Sequence, residues 1–157
     1  MAMKVKDVMT REPITVDPEA PLGTAMEVMR RKRIRHLPVV DDAGRLVGII
    51  TDRDLRQATF APALAEHLSL QAQRRLRGLG QTLEDLRVKH AMTWVVVTTE
   101  PEAPIARAAV VMFERRIGSL PVVEDGKLVG ILTERDLLVA LAKEFPDTGI
   151  DQQGFLW

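Results

Sequence analysis

The sequence predicts an α/β fold made of two copies of one βαββα unit, packed face to face with approximate two-fold symmetry and joined by a helical connector. Three observations carry this. Val5-Lys6-Asp7-Val8-Met9-Thr10 returns 83 positions later as Val88-Lys89-His90-Ala91-Met92-Thr93, and Pro18-Glu19-Ala20-Pro21 returns at the same spacing as Pro101-Glu102-Ala103-Pro104. When 5–40 is set against 88–123 and 44–55 against 126–137, 27 of the 48 paired positions are identical, far more than chance supplies, so the chain is internally duplicated. Apolar spacing then switches between strand and helix periods in the same order in both copies.

Each copy opens with a short turn ending at Met9-Thr10 or its equivalent, followed by a first strand over Ile14–Val16 (Val95–Thr98 in the second copy). A helix starts with Pro21 or Pro104 at its first position, where a missing N–H costs nothing. Leu22, Ala25, Met26 and Met29 give it an apolar stripe, repeated by Ile105, Ala108, Ala109 and Met112, and the methionines read as core packing. Leu37–Val40 is a β-rich run that tolerates Pro38 at its start, and Asp41-Asp42-Ala43-Gly44 is turn chemistry leading into a strand over Leu46–Ile50. A last helix begins at Thr51, and at Thr133 in the second copy.

The resulting division is 1–58 for the first repeat, 59–87 for the connector, 88–142 for the second repeat and 143–157 for a tail. The connector has helical spacing over Ala63–Leu79, is broken by Gly78 and Gly80, and Thr82-Leu83-Glu84-Asp85 resembles another helix start. The tail lacks clear periodicity, and Phe155-Leu156-Trp157 either docks on a neighbour or frays.

Composition narrows the function. Lys plus Arg equals Asp plus Glu at 22 each, so no overall field recruits nucleic acid or an acidic membrane. No apolar run approaches the length of a membrane span, the first residues carry charge without an apolar signal core, and there is no Cys, which together suggest a cytoplasmic protein. Enzyme chemistry finds little footing. The histidines are His36, His67 and His90, the last two read as surface residues, and no Ser-His-Asp order, paired catalytic acids, zinc spacing or phosphate-cradling glycine loop is visible. With no Tyr and only Trp94 and Trp157, stacking on bases is a weak expectation, and a nucleic-acid partner for the Arg30–Arg35 run is disfavoured.

The paired V-x-D-V-M-T, P-x-x-P, L-P-V-V and G-I-I-T-x-R-D motifs resemble tandem CBS domains, over Val5–Gln57 and Val88–Ala142, with a connector similar to that of stand-alone bacterial pairs of the acetoin-utilisation type. The resemblance implies a regulatory module that binds an adenosyl compound of the AMP, ADP or ATP class, or S-adenosylmethionine, in the cleft between repeats. It also implies a homodimer and an effector protein that reads the bound state, with Mg²⁺ as a companion if the ligand is a polyphosphate. No catalytic cofactor is implied.

The motif Gly48-Ile49-Ile50-Thr51-Asp52-Arg53-Asp54 holds the strongest candidates. Its glycine allows close approach at the strand end, Thr51 stands at a helix N-terminus that favours phosphate, and Asp54 can accept from two ribose hydroxyls. The same Thr-x-x-Asp spacing is also close to a capping box that merely satisfies backbone N–H groups. By resemblance the first site takes Ile14, Arg35, His36, Pro38, Thr51, Arg53 and Asp54, and the second takes Val97, Ser119, Pro121, Thr133, Arg135 and Asp136. Pro13 and Val16, with Val96 and Thr99 in the other copy, extend the adenine slot. Arg35 and His36 precede the central strand where they can bind phosphate, whereas the second copy has Gly118 and Ser119, so the sites are expected to be unequal. The rival reading is a constitutive scaffold with vestigial clefts.

Overall fold

This computed structural model describes residues 3–65 and 86–144. The chain separates into two compact units, one built from residues 1–13 with 97–157 and the other from residues 14–96. Each body is therefore completed by the leader of the other repeat.

In the unit of residues 14–96, helix α2 (Leu22–Lys32) precedes a hairpin of β2 (His36–Val40) and β3 (Leu46–Thr51), and α3 (Asp52–Ala65) follows, running on into what the sequence assigned to the connector. His36 pairs with Thr51 and Pro38 with Ile49. The leader helix α4 (Val88–Ala91) closes this body. In the other unit, α1 (Val5–Val8) and β1 (Thr10–Arg11) join α5 (Ile105–Arg115), β4 (Ser119–Glu124), β5 (Lys127–Thr133) and α6 (Glu134–Glu144). Its sheet order is β1-β5-β4, with Ser119 opposite Thr133.

Four sequence expectations are corrected. The first strands are not regular strands: Val16 and Thr99 each make one parallel bridge, to Val39 and Val122, and the flanking residues stay irregular. Both helices start one residue later than expected, with Pro21 and Pro104 as N-caps in an extended conformation. The next residue does have an N–H, and the leader satisfies it, Leu22 donating to the Leu86 carbonyl at 2.8 Å and Ile105 to that of Met3 at 3.0 Å. Met26 is 42% exposed because it lies at the rim of the stripe whose centre is Leu22, Ala25 and Met29. The last helices likewise begin after Thr51 and Thr133, which end their strands. His67, the Thr82–Asp85 helix start, nearly all of Ala63–Leu79 and the Phe155–Trp157 tail lie outside the described residues.

Leader docking follows one hydrogen-bond scheme twice. Val5 and Lys6 donate to the Ala103 and Pro101 carbonyls at 2.9 and 3.0 Å, while Val88 and Lys89 donate to those of Ala20 and Pro18 at 3.0 Å each. Val5 and Val88 are fully buried, which supplies the apolar part of the contact. Lys4 reaches Glu102 at 2.6 Å and Lys6 bonds to the same carboxylate; their hydrogen bonds hold its pKa down at about 2. Lys89 does the same for Glu19 at 2.6 Å, lowering its pKa. Gly48 and Gly130 make the close approach possible: a Cβ would meet the Met92 sulfur at 2.5 Å and the Met9 sulfur at 2.6 Å.

Leu22, Leu37, Val39 and Ile50 centre one core, and Leu120, Val122, Leu132 and Met112 the other. The hairpin turns differ where the repeats differ in length. Asp125 and Gly126 both have positive φ, 49° and 77°, giving a two-residue primed turn. The longer first loop is organised by Asp41, which accepts from the Ala43 and Arg45 N–H groups at 3.0 and 2.9 Å.

Candidate functional site

In the unit of residues 14–96, the hairpin register sets His36 beside Thr51, and the Asp52 N–H donates to the Arg35 carbonyl at 3.1 Å. The start of β2, the end of β3 and the first turn of α3 thus meet at one end of the hairpin. Val16 runs parallel to β2, donating to the Pro38 carbonyl at 3.1 Å and accepting from Val40 at 3.1 Å, and Ile14 stands two residues before this bridge. Pro38 is fully buried and supports the site from within the core, while Ile14 is 40% exposed. Val16 and Thr99 already use their backbone groups in strand pairing, Thr99 donating to Pro121 and accepting from Val123, while Ile14 is exposed and Val97 is half-buried against the core of its unit.

Thr51 and Asp54 form a reciprocal cap. The Thr51 N–H and hydroxyl both donate to Asp54 Oδ2 at 2.8 Å, and the Asp54 N–H donates to Thr51 Oγ1 at 3.3 Å. Thr133 and Asp136 repeat the three bonds at 2.8, 2.8 and 3.3 Å. The capping reading of the motif is therefore realised, and it fixes the carboxylate in one rotamer. The second oxygen, Oδ1, accepts nothing from the described residues in either copy, and both aspartates are half-buried. A carboxylate held by one oxygen and open at the other is pre-organised to accept a hydroxyl pair.

The cations differ between copies. Arg35 and Arg53 are exposed and neither is ion-paired among the described residues, so both guanidinium groups remain available to an anion. His36 is half-buried and has a partner of its own. Of the basic run at the end of α2, Arg30 is paired with Glu27 at 3.0 Å and Arg30, Arg31 and Lys32 occupy the last helical turn, where they complement its carbonyl end. In the other unit Ser119 is buried and Arg135 exposed.

Arg135 and Asp136 line a cavity of about 270 Å³ together with Met3, Asp7, Val8, Val139, Ala140 and Lys143. Val97 lines a different one of about 330 Å³, with Arg107, Val111, Glu114, Arg115 and Leu120 among its walls. The leader residues Met3, Asp7 and Val8, which line the cavity beside Asp136, are not among the sequence candidates. Their signal in the sequence was the repeat itself, but not which body each leader joins. Among the described residues no group of three or more His, Asp or Glu side chains is gathered to hold a metal ion. No helix among the described residues is long and apolar enough to cross a membrane.

Comparison with known proteins agrees with this architecture. The CBS-domain family model matches residues 5–60 and 88–143. A CBS domain-containing protein of Dictyostelium discoideum is 37% identical over 147 residues, covering 91% of this chain and 94% of that one. Some curated relatives are longer: the chain spans 26% of an inosine-5′-monophosphate dehydrogenase and 22% of an L-aspartate semialdehyde sulfurtransferase, both from Methanocaldococcus jannaschii. Among solved structures, an acetoin utilisation protein from Vibrio cholerae superposes with a TM-score of 0.76 at 31% identity, over 93% of this chain and 96% of that one. The CBS domain pair of protein MJ0100, solved with 5′-methylthioadenosine and S-adenosyl-L-methionine, gives 0.73 at 28% identity, over 92% and 99%. CBSX2, solved with AMP, gives 0.72 at 29% identity, over 90% and 98%.

Proposed function

This chain belongs to the CBS-domain family, and on that premise we propose that it is a regulatory module that senses an adenosyl compound and catalyses no reaction of its own. The observation that carries the reading is the pair of half-engaged aspartates, Asp54 and Asp136, each fixed by its threonine through Oδ2, with Oδ1 accepting nothing from the described residues. A ribose offers two adjacent hydroxyl donors to such an acceptor. Similar pairs solved with AMP or with 5′-methylthioadenosine and S-adenosyl-L-methionine support the ligand class.

In this reading the first site uses Ile14 against the base, with the buried Pro38 supporting it from the core, Asp54 for the ribose, and Thr51, Arg35, His36 and Arg53 for a phosphate. The second uses Val97, Pro121, Asp136, Thr133, Ser119 and Arg135. Ligand binding favours one arrangement of the module over another, and an effector protein reads the difference; the coupling can be no larger than the ligand's differential affinity for the two arrangements. The chain acts in the cytoplasm as a homodimer, and Mg²⁺ enters only as the companion of a polyphosphate. A scaffold with vestigial clefts is the rival.

A thermal-shift panel of AMP, ADP, ATP, S-adenosylmethionine and 5′-methylthioadenosine on wild type, Asp54→Asn and Asp136→Asn separates them. Ligand at 100 times its Kd stabilises a one-site native state by about 2.7 kcal/mol. A shift for an adenosyl compound that one of these substitutions removes supports sensing. Folded protein that shifts with no compound favours the scaffold.

A further inference from the structure

Resting on the sensor reading above, we propose that the leader residue, Asp7 in one unit and His90 in the other, is the charge selector that makes the two sites unequal, disfavouring a phosphorylated adenosyl ligand beside Asp136 and favouring one beside Asp54. Asp7 and Asp136 line the same cavity of about 270 Å³, so a ligand seated in it against Asp136 has the Asp7 carboxylate in its wall. The charged walls of that cavity are Asp7, Asp136, Arg135 and Lys143, which cancel and leave no net attraction for a phosphate. An uncharged or cationic adenosine derivative suits it better.

The other unit places an imidazole at the same point of the leader. Asp7 Oδ2 accepts from the Lys4 N–H at 2.8 Å, and His90 Nδ1 accepts from the Arg87 N–H at 3.0 Å, so the two side chains perform one capping task at matching positions. Because Nδ1 is the acceptor, the neutral ring carries its proton on Nε2 and presents a donor where its counterpart presents a negative charge. Leader helix α4 packs against α3, the helix that bears Asp54, as α1 packs against α6. The cation difference between Arg35 and Gly118 acts in the same direction. Since each residue already serves as the cap in one unit, exchanging them alters charge while an acceptor for the leader's first N–H is kept.

The test is calorimetric titration of the full chain at low ionic strength with AMP and 5′-methylthioadenosine as probes. His90→Asp is read in an Asp136→Asn background to isolate the first site, and Asp7→His in an Asp54→Asn background to isolate the second. The expected result is an AMP-to-methylthioadenosine affinity ratio that falls roughly fivefold with His90→Asp and rises roughly fivefold with Asp7→His, as befits one exposed charge near the ligand. If both backgrounds bind and the ratio is unmoved in either variant, the selector is overturned and the sensor reading stands. If wild type binds neither probe, both are overturned.

Discussion

Replacing Gly48 by alanine tests whether the leader contact sets the close packing of its unit. An added Cβ would sit 2.5 Å from the Met92 sulfur and 3.0 Å from the Thr93 carbonyl oxygen. The sulfur belongs to a flexible side chain, yet Met92 is only 6% exposed and has to move within a filled core. The carbonyl is less free, because it accepts from the Ile49 N–H at 3.0 Å while the Thr93 N–H donates to Ile49 at 2.9 Å. Overpacking of this kind costs about 1–3 kcal/mol, and the lower chain entropy of alanine in the unfolded state returns about 0.4–1 kcal/mol. The expected net loss is about 0.5–2 kcal/mol, which lowers the urea midpoint by roughly 0.3–1 M at an m-value of about 2 kcal/mol/M. An unchanged or higher midpoint refutes the reasoning. Met92→Ala in both backgrounds then locates the clash: a cost smaller in the alanine background by about 0.5 kcal/mol or more assigns it to the methionine, and additive costs assign it to the carbonyl.

Two further perturbations probe the leader and a helix end. The depressed pKa of Glu102 means that its pairing with Lys4 and Lys6 is complete above the ordinary value of 4.5 and is lost as pH falls towards about 2. Glu102→Gln is therefore expected to be the less stable protein at pH 6, with the gap closing across that window and shrinking in 0.5 M salt, where exposed charges are screened; a gap independent of pH in urea titrations contradicts this. Arg116 ends α5 in the left-handed region at φ 53°, so Arg116→Gly relieves a conformation that favours glycine and is expected to raise the urea midpoint by the equivalent of about 0.5–1 kcal/mol. A fall in the midpoint contradicts that account.

The parts of this fold that are legible in the sequence are those decided locally. Leu37–Val40 and Leu46–Ile50 are short continuous apolar runs that flank turn residues, and Asp125-Gly126 specifies its primed turn by itself. Thr51 and Asp54 could be read both as a cap and as a ligand pair because both uses demand the same spacing. Leader exchange was not legible for an equally physical reason. The carbonyls that receive Val5 and Lys6 belong to Ala103 and Pro101, and their counterparts Ala20 and Pro18 are identical in type. Each leader thus meets the same residue types at its backbone acceptors, and the sequence pattern alone does not assign leader to body. Asp7 lies in a cavity wall beside Asp136, and His90 is exposed, as its reading as a surface residue expects. Ile14–Val16 misled in the opposite sense: three β-branched residues suggest a strand, but only Val16 finds a neighbour to bond.

The traded leaders also change what counts as the smallest complete piece of this molecule. A fragment cut at the boundaries of one repeat carries a leader suited to a second body and lacks the one that bonds to its own helix start, leaving the N–H of Leu22 or Ile105 without its carbonyl and a buried valine position empty. Two such fragments could make each other whole by lending leaders reciprocally, which is the arrangement the intact chain achieves within one polypeptide. Its covalent order and its architectural parts are therefore offset by one segment, and any dissection by cloning, proteolysis or permutation has to follow the bodies and not the repeats.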